Sequence, residues 1–202
     1  MPTDILNLFS QPTARWFKDK LGVPTKVQED KWPAIASGHP VLVSAPTGTG
    51  KTLSAFLVFI DRLYAMAQEG TLKEELYLIY VSPLKSLAGD IRENLNRPLD
   101  GIRHEMERLE GAVHMVGSAR PPQTARAAES ARPPQTACPA ESVCLDIQVG
   151  IRTGDTPQKD RQRMVKHPPH ILIITPESLY LMLTSMTGQK VLRTARAVII
   201  DE

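Results

Sequence analysis

Residues 45–52 read Ala-Pro-Thr-Gly-Thr-Gly-Lys-Thr, and they lie between the apolar run Val41-Leu42-Val43 and a helix-forming apolar stretch from Leu53 to Met66. A glycine-containing loop between a strand and a helix lets successive backbone N–H groups curl around phosphate oxygens, with the new helix pointing its positive end at them. Four positions carry the signal. Ala45 stands where the strictest form of the motif has glycine, Gly50 allows the tight turn, Lys51 supplies a charge, and Thr52 offers a hydroxyl to Mg2+. The chain is therefore expected to bind a nucleoside triphosphate through Ala45, Pro46, Thr47, Gly48, Thr49, Gly50, Lys51 and Thr52. A turn that merely caps a helix is the plain alternative.

Downstream, Leu76-Tyr77-Leu78-Ile79-Tyr80-Val81 is apolar throughout, as strands buried on both faces of a parallel sheet are. Ile147 to Ile151 is a weaker, alternating strand, while Ile171-Leu172-Ile173-Ile174 and Ala197-Val198-Ile199-Ile200 are short, apolar and rich in β-branched residues. Helical patterns separate them. Strand and helix in alternation predict an α/β fold with a doubly wound, mostly parallel sheet, whose ligands gather beyond the carboxyl ends of the strands. At 202 residues and 42% hydrophobic, one domain with an inserted arm fits the chain better than two.

Ser82-Pro83, Thr156-Pro157 and Thr175-Pro176 each place a hydroxyl before a proline at a predicted strand end. The pairs predict three helix starts, hydroxyl at the N-cap and proline at the first helical position, opening on one rim suited to anions such as a nucleic-acid backbone. Capping alone would also explain them.

Residues 119–130 read ARPPQTARAAES and residues 131–142 read ARPPQTACPAES, a tandem duplication with paired prolines and no apolar face. Such a segment cannot bury enough surface to offset its ordering entropy, so a disordered surface loop is expected. Arg120, Arg126 and Arg132 could touch phosphates from it, although a tolerated insertion is the simpler reading. Net charge is only +2, from 24 basic against 22 acidic residues, so any nucleic-acid contact must be local. No apolar run approaches a membrane span and the start does not read as a signal peptide, so no membrane partner is expected and a cytoplasmic protein is. Cys138 and Cys144 are not spaced like a zinc knuckle and read as reduced thiols. His167-Pro168-Pro169-His170 reads as a turn before a strand rather than a metal site, and the basic run from Lys159 to Lys166 as a solvated helix face.

Residues 197–200 lead into Asp201-Glu202. With an upstream phosphate loop, two carboxylates at the end of a buried strand fit a Walker B pair, Asp201 holding Mg2+ through water and Glu202 orienting and activating the attacking water.

Together these elements resemble superfamily 2 helicases, and most closely the large helicase-related (Lhr) DNA helicases. Residues 45–52 correspond to motif I, 80–87 to motif Ia, 149–156 to the following strand and loop, 174–179 to motif Ib, and Asp201 to the start of motif II. Pro24-Thr25-Lys26-Val27-Gln28 resembles the Q motif, within an N-terminal helical segment of residues 1–39, and makes Gln28 the reader of the adenine edge. Trp16 or Phe17 would stack on the base or sit in the core, and Trp32 would pack against the sheet.

The resemblance implies a RecA-like phosphate-loop lobe using ATP and Mg2+, with Lys51 and Glu202 catalytic. Its partner would be DNA, as a single strand or a 3′-tailed duplex, tracked 3′ to 5′. Contacts carried over by motif are Ser82, Pro83, Lys85, Arg152, Thr153, Gly154, Thr175, Pro176 and Glu177. The 202 residues stop within motif II, which implies an incomplete sheet of poor stability, no second RecA-like lobe with its arginine fingers, weak Mg-ATP binding and negligible unwinding by this chain alone. A non-catalytic remnant that binds ATP and nucleic acid, and a different phosphate-loop enzyme such as a nucleotide kinase, remain as alternatives.

Overall fold

A computed structural model of the chain describes residues 4–46, 50–83, 87–117 and 146–201. A 3-10 turn, Ile5–Leu8, leads into α1 (Gln11–Leu21), α2 (Lys26–Ala36) and α3 (Lys51–Gln68). There follow β1 (Leu78–Val81), α4 (Leu87–Gly117), β2 (Val149–Arg152), α5 (Gln158–Lys166), β3 (Ile171–Ile174), α6 (Pro176–Thr184), α7 (Met186–Leu192) and β4 (Ala197–Ile200). The strands form one sheet in the order β2-β3-β1-β4, with every neighbouring pair parallel. Parallel neighbours need crossover connections, and the helices supply them.

Strand periodicity divides the apolar residues of β1 and β3 between two cores. Leu78, Tyr80, Ile171 and Ile173 face a layer containing Trp16, Phe17, Trp32, Leu57, Ile60 and Ile102, contributed by α1 to α4. Ile79, Val81, Leu172 and Ile174 face Met182 of α6 and Val191 of α7. Helices thus cover both faces of the two central strands, as the α/β, doubly wound expectation requires.

Trp32 has no exposed surface, donates its indole N–H to the Ser54 carbonyl at 3.2 Å, and meets Phe9 and Phe17 edge-on at 4.8 and 5.4 Å. Its hydrogen-bond and ring partners come from α3, α1 and the N-terminal turn, and it shares one core with Leu78, Tyr80, Ile171 and Ile173 of the sheet. Trp16 and Phe17 are buried in the same layer, a core role for both. Trp16 sets a constraint on α4, because a Cβ on Gly101 would stand 2.0 Å from its indole nitrogen. Overpacking should cost about 1–3 kcal/mol, of which the gain in helix propensity returns roughly 1 kcal/mol, so Gly101→Ala should destabilise the protein by up to about 2 kcal/mol. The urea midpoint should fall with an unchanged slope; a raised midpoint would show that the indole simply moves aside.

Several local expectations are corrected. Residues 41–46 take no regular secondary structure and Leu42 is 90% exposed, where a strand was expected before the loop. A strand persists only where a neighbour pairs its N–H and C=O groups, and no described strand lies beside this segment. Among the described strands β4 pairs with β1 alone, and it alternates rather than being buried throughout: Ala197 and Ile199 lean on the first core, while Val198 and Ile200 are 54% and 78% exposed. Of the three helix starts, α6 begins as read, with Thr175 at the N-cap and Pro176 first, although the Thr175 hydroxyl donates to Ser178 Oγ at 3.1 Å instead of capping the backbone. Pro157 is itself the N-cap of α5, because Thr156 Oγ1 accepts the Thr153 N–H at 2.8 Å and closes a turn ahead of the helix. Pro83 lies in a bend and α4 is described from Leu87 onward, with residues 84–86 between them outside the described residues. The duplicated residues 119–142 lie outside the described residues.

Candidate functional site

Gly50 is the N-cap of α3 and has φ +80°, a conformation that favours glycine. Among the described residues no side chain caps this helix, so the N–H groups of its first turn are suited to an anionic acceptor. Lys51 and Thr52 open the helix, half-buried and exposed respectively, and Ser54 Oγ donates to the Gly50 carbonyl at 2.8 Å. Ala45 and Pro46 precede the loop; Thr47, Gly48 and Thr49 lie outside the described residues.

Gln28 closes one side of this loop. It is 3% exposed, and a Cβ on Gly50 would lie 2.9 Å from its Nε2. Its Oε1 accepts the Thr25 N–H at 2.8 Å while Thr25 Oγ1 accepts the Gln28 N–H at 3.4 Å, a reciprocal capping box at the start of α2. The amide expected to read a base thus already uses its carbonyl to cap α2 and turns its nitrogen toward Gly50.

Parallel register collects the remaining motif residues on one edge of the sheet. Arg152 pairs with Ile174, Ile174 with Val81, and Val81 with Ile200. Just beyond, Thr175 N–H donates to the Arg152 carbonyl at 3.3 Å, Ser82 N–H to Ile174 at 3.1 Å, and Asp201 N–H to Val81 at 2.9 Å. Arg152, Thr175, Ser82 and Asp201 therefore follow one another along a single rim at the strands' carboxyl ends, each about 5 Å from the next. Thr153 and Gly154 lie in the turn after β2, whose carbonyls Arg161 holds: its Nε donates to Thr156 O at 2.8 Å and its guanidinium to Gly154 O at 2.6 Å. Ser82 and Thr175 are almost wholly buried, leaving Pro83, Pro176 and Glu177 on the exposed surface. Lys85 is outside the described residues.

Asp201 has a partner that sequence reasoning missed. The Tyr80 hydroxyl donates to Asp201 Oδ2, and the Tyr80 ring, 1% exposed, stacks on Phe56 of α3 at 4.8 Å. The available signal was a tyrosine on a fully buried strand, since a buried phenol needs a hydrogen-bond partner. With one carboxylate oxygen taken by Tyr80, the other is an oxygen donor of the kind a hard cation such as Mg2+ takes, directly or through water. Glu202 lies outside the described residues, and among those described no cluster of three His, Cys, Asp or Glu could hold a metal on its own.

His170, 6% exposed, accepts the Gln148 N–H through Nδ1 at 2.9 Å, a structural role. Burial lowers its pKa below the usual 6.5. As pH falls through about 6.5 the unfolded chain takes up this proton first, so stability should decline as pH falls below neutral and level off below the folded-state pKa. His170→Asn, which keeps an acceptor without the titration, should flatten part of that decline in melting temperature.

Residues 25–135 match the family model described as DEAD/DEAH box helicase. The chain is 38% identical over 199 residues to ATP-dependent helicase Lhr-Core protein 2 of Thermococcus barophilus, covering 98% of this chain and 20% of that protein. It is 42% identical over 199 residues to the Lhr helicase/probable uracil glycosylase of Mycolicibacterium smegmatis, covering 98% of this chain and 11% of the relative. The chain thus spans a fifth or less of the length of these two relatives. Among solved structures, the Mycobacterium smegmatis helicase Lhr bound to ssDNA and AMP-PNP superposes with a TM-score of 0.74 at 40% identity, covering 99% of this chain and 21% of that one. The DEAD-box helicase Mss116 bound to ssRNA and UDP-BeF matches with a TM-score of 0.66 at 18% identity over 96% of this chain and 31% of its own, a likeness of fold. No helix among the described residues is long and apolar enough to cross a membrane.

Proposed function

The chain belongs to the DEAD/DEAH box helicase family, and from that premise we propose that it forms the ATP- and nucleic-acid-binding first lobe of an Lhr-like, ATP-dependent DNA helicase. The observation that carries this reading is the shared rim: the three strand ends assigned to nucleic acid continue directly into Asp201. In this assignment residues 45–52 cradle the phosphates, Lys51 offsets their charge, and Gln28 sets the base end of the site. Thr52 and Asp201 hold Mg2+, which when bound shields the phosphate charge, and Glu202 orients water. Ser82, Pro83, Lys85, Arg152, Thr153, Gly154, Thr175, Pro176 and Glu177 line the path of a DNA strand, contacts that give affinity without sequence preference.

The DNA is a single strand or a 3′-tailed duplex tracked 3′ to 5′, turnover requires an opposing RecA-like lobe, and the protein works in the cytoplasm. Residues 1–39 bring the Q motif to the site, and 119–142 form an insert outside it. The test is titration of the 202-residue chain with a fluorescent ATP analogue, with and without Mg2+ and single-stranded DNA, followed by phosphate-release and phosphoryl-transfer assays. Weak, Mg2+-dependent binding that DNA tightens is expected. Transfer of phosphate to a nucleoside monophosphate would instead identify a nucleotide kinase and sink the proposal.

A further inference from the structure

The basic run on α5 has a direction that its sequence did not reveal. Gln158, Arg161, Gln162, Val165 and Lys166 stand at i, i+3, i+4, i+7 and i+8, and so share one helical face. With Arg152 and with Thr187 of α7 they line a cleft of about 370 Å³ between the two helices. Among the described residues, three cations, two amides and a hydroxyl surround this space, and no carboxylate lines it. Arg161 is occupied with the carbonyls of the preceding turn and still contributes its charge. Arg152 is half-buried, and among the described residues no hydrogen bond or ion pair engages its guanidinium. Burial, and then the neighbouring Arg161, lower its pKa, the behaviour of a cation that lacks its counter-charge.

From this geometry we infer that the α5–α7 cleft is a second phosphate-binding site, which takes up the backbone of the DNA strand as it leaves the rim. The inference rests on the nucleic-acid reading above and extends it beyond the motif residues. Arg152 decides between a strand and a free anion, because it belongs to both places: it ends β2 on the rim and it lines the cleft. From Gln158 to Lys166 the helix rises about 12 Å, enough for a backbone to pass roughly two phosphates along it. A strand on this path meets Arg152 first and Lys166 last, in contacts blind to base identity.

The test uses labelled oligothymidylates of two lengths, about 6 nucleotides to occupy the rim alone and about 20 to reach the cleft, with anisotropy measured across a salt series. Gln162 and Lys166 are exposed, so the Gln162→Glu/Lys166→Glu double variant should keep the wild-type far-UV spectrum and melting temperature. It should bind the longer strand about tenfold more weakly, with a salt slope shallower by roughly 0.7 for each phosphate no longer neutralised, and bind the shorter strand as wild type does. Unchanged binding of both lengths by the double variant, while Arg152→Ala weakens both, would overturn the cleft and leave the rim reading intact. Equal weakening of the two lengths would also overturn it, since a site for a free anion has no length dependence. Failure of wild type to bind either strand would overturn both readings.

Discussion

Lys51→Ala is expected to weaken triphosphate binding by at least about a hundredfold while leaving the fold in place. A charge-assisted hydrogen bond contributes about 1.5–3 kcal/mol, and loss of the cation beside a polyanion adds to it, so a total near 3 kcal/mol corresponds to a factor of about a hundred in Kd. Stability should survive because Lys51 is half-buried in the first turn of α3 and alanine is the best helix former. Titration with a fluorescent ATP analogue in Mg2+, beside a thermal melt, separates the two effects. Wild-type affinity in the variant would remove Lys51, and with it the loop, from the site.

Asp201→Asn should abolish the part of nucleotide affinity that depends on Mg2+ and leave binding in EDTA unchanged, because it exchanges a charged ligand for a neutral one of the same shape. Tyr80→Phe provides the graded companion. It preserves the ring stacked on Phe56 and removes only the hydroxyl that holds Asp201 Oδ2. Loss of a partner that orients a metal ligand typically costs ten- to a hundredfold in metal affinity, so the Mg2+ concentration needed for half-maximal tightening should rise by about tenfold. A Tyr80→Phe protein with wild-type Mg2+ dependence would show that the hydrogen bond does not position the carboxylate. The same result for Asp201→Asn would remove the residue from the metal site altogether.

These effects depend on features that differ in how far a sequence discloses them. β1, β3 and β4 were legible because each is a short apolar run, largely β-branched in β3 and β4, and two were located to the residue. The start of α6 was legible too, since threonine followed by proline is a local signal read within one turn. Residues 41–43 carried the same kind of pattern yet form no strand, because strand formation depends on a neighbour and not on composition alone. Pro157 became an N-cap through a hydroxyl contact within the preceding turn, a competition invisible to a rule about proline. Tyr80 and Asp201 are 121 residues apart, so only the sheet register could show that they meet. Likewise, the α5 face was recognised as basic, but the cleft opposite it exists only once α7 is placed.

α3 touches both ends of this chemistry, and that fixes a tolerance. Lys51 opens the helix, and Phe56 lies about one and a half turns further along the same rod, where it carries the tyrosine that holds Asp201. The loop and the distant acid are therefore phased by the screw of a single helix, much as two cams are set on one shaft. Inserting one residue between Lys51 and Phe56 would turn one relative to the other by about 100°, so substitutions there can be absorbed where insertions and deletions cannot.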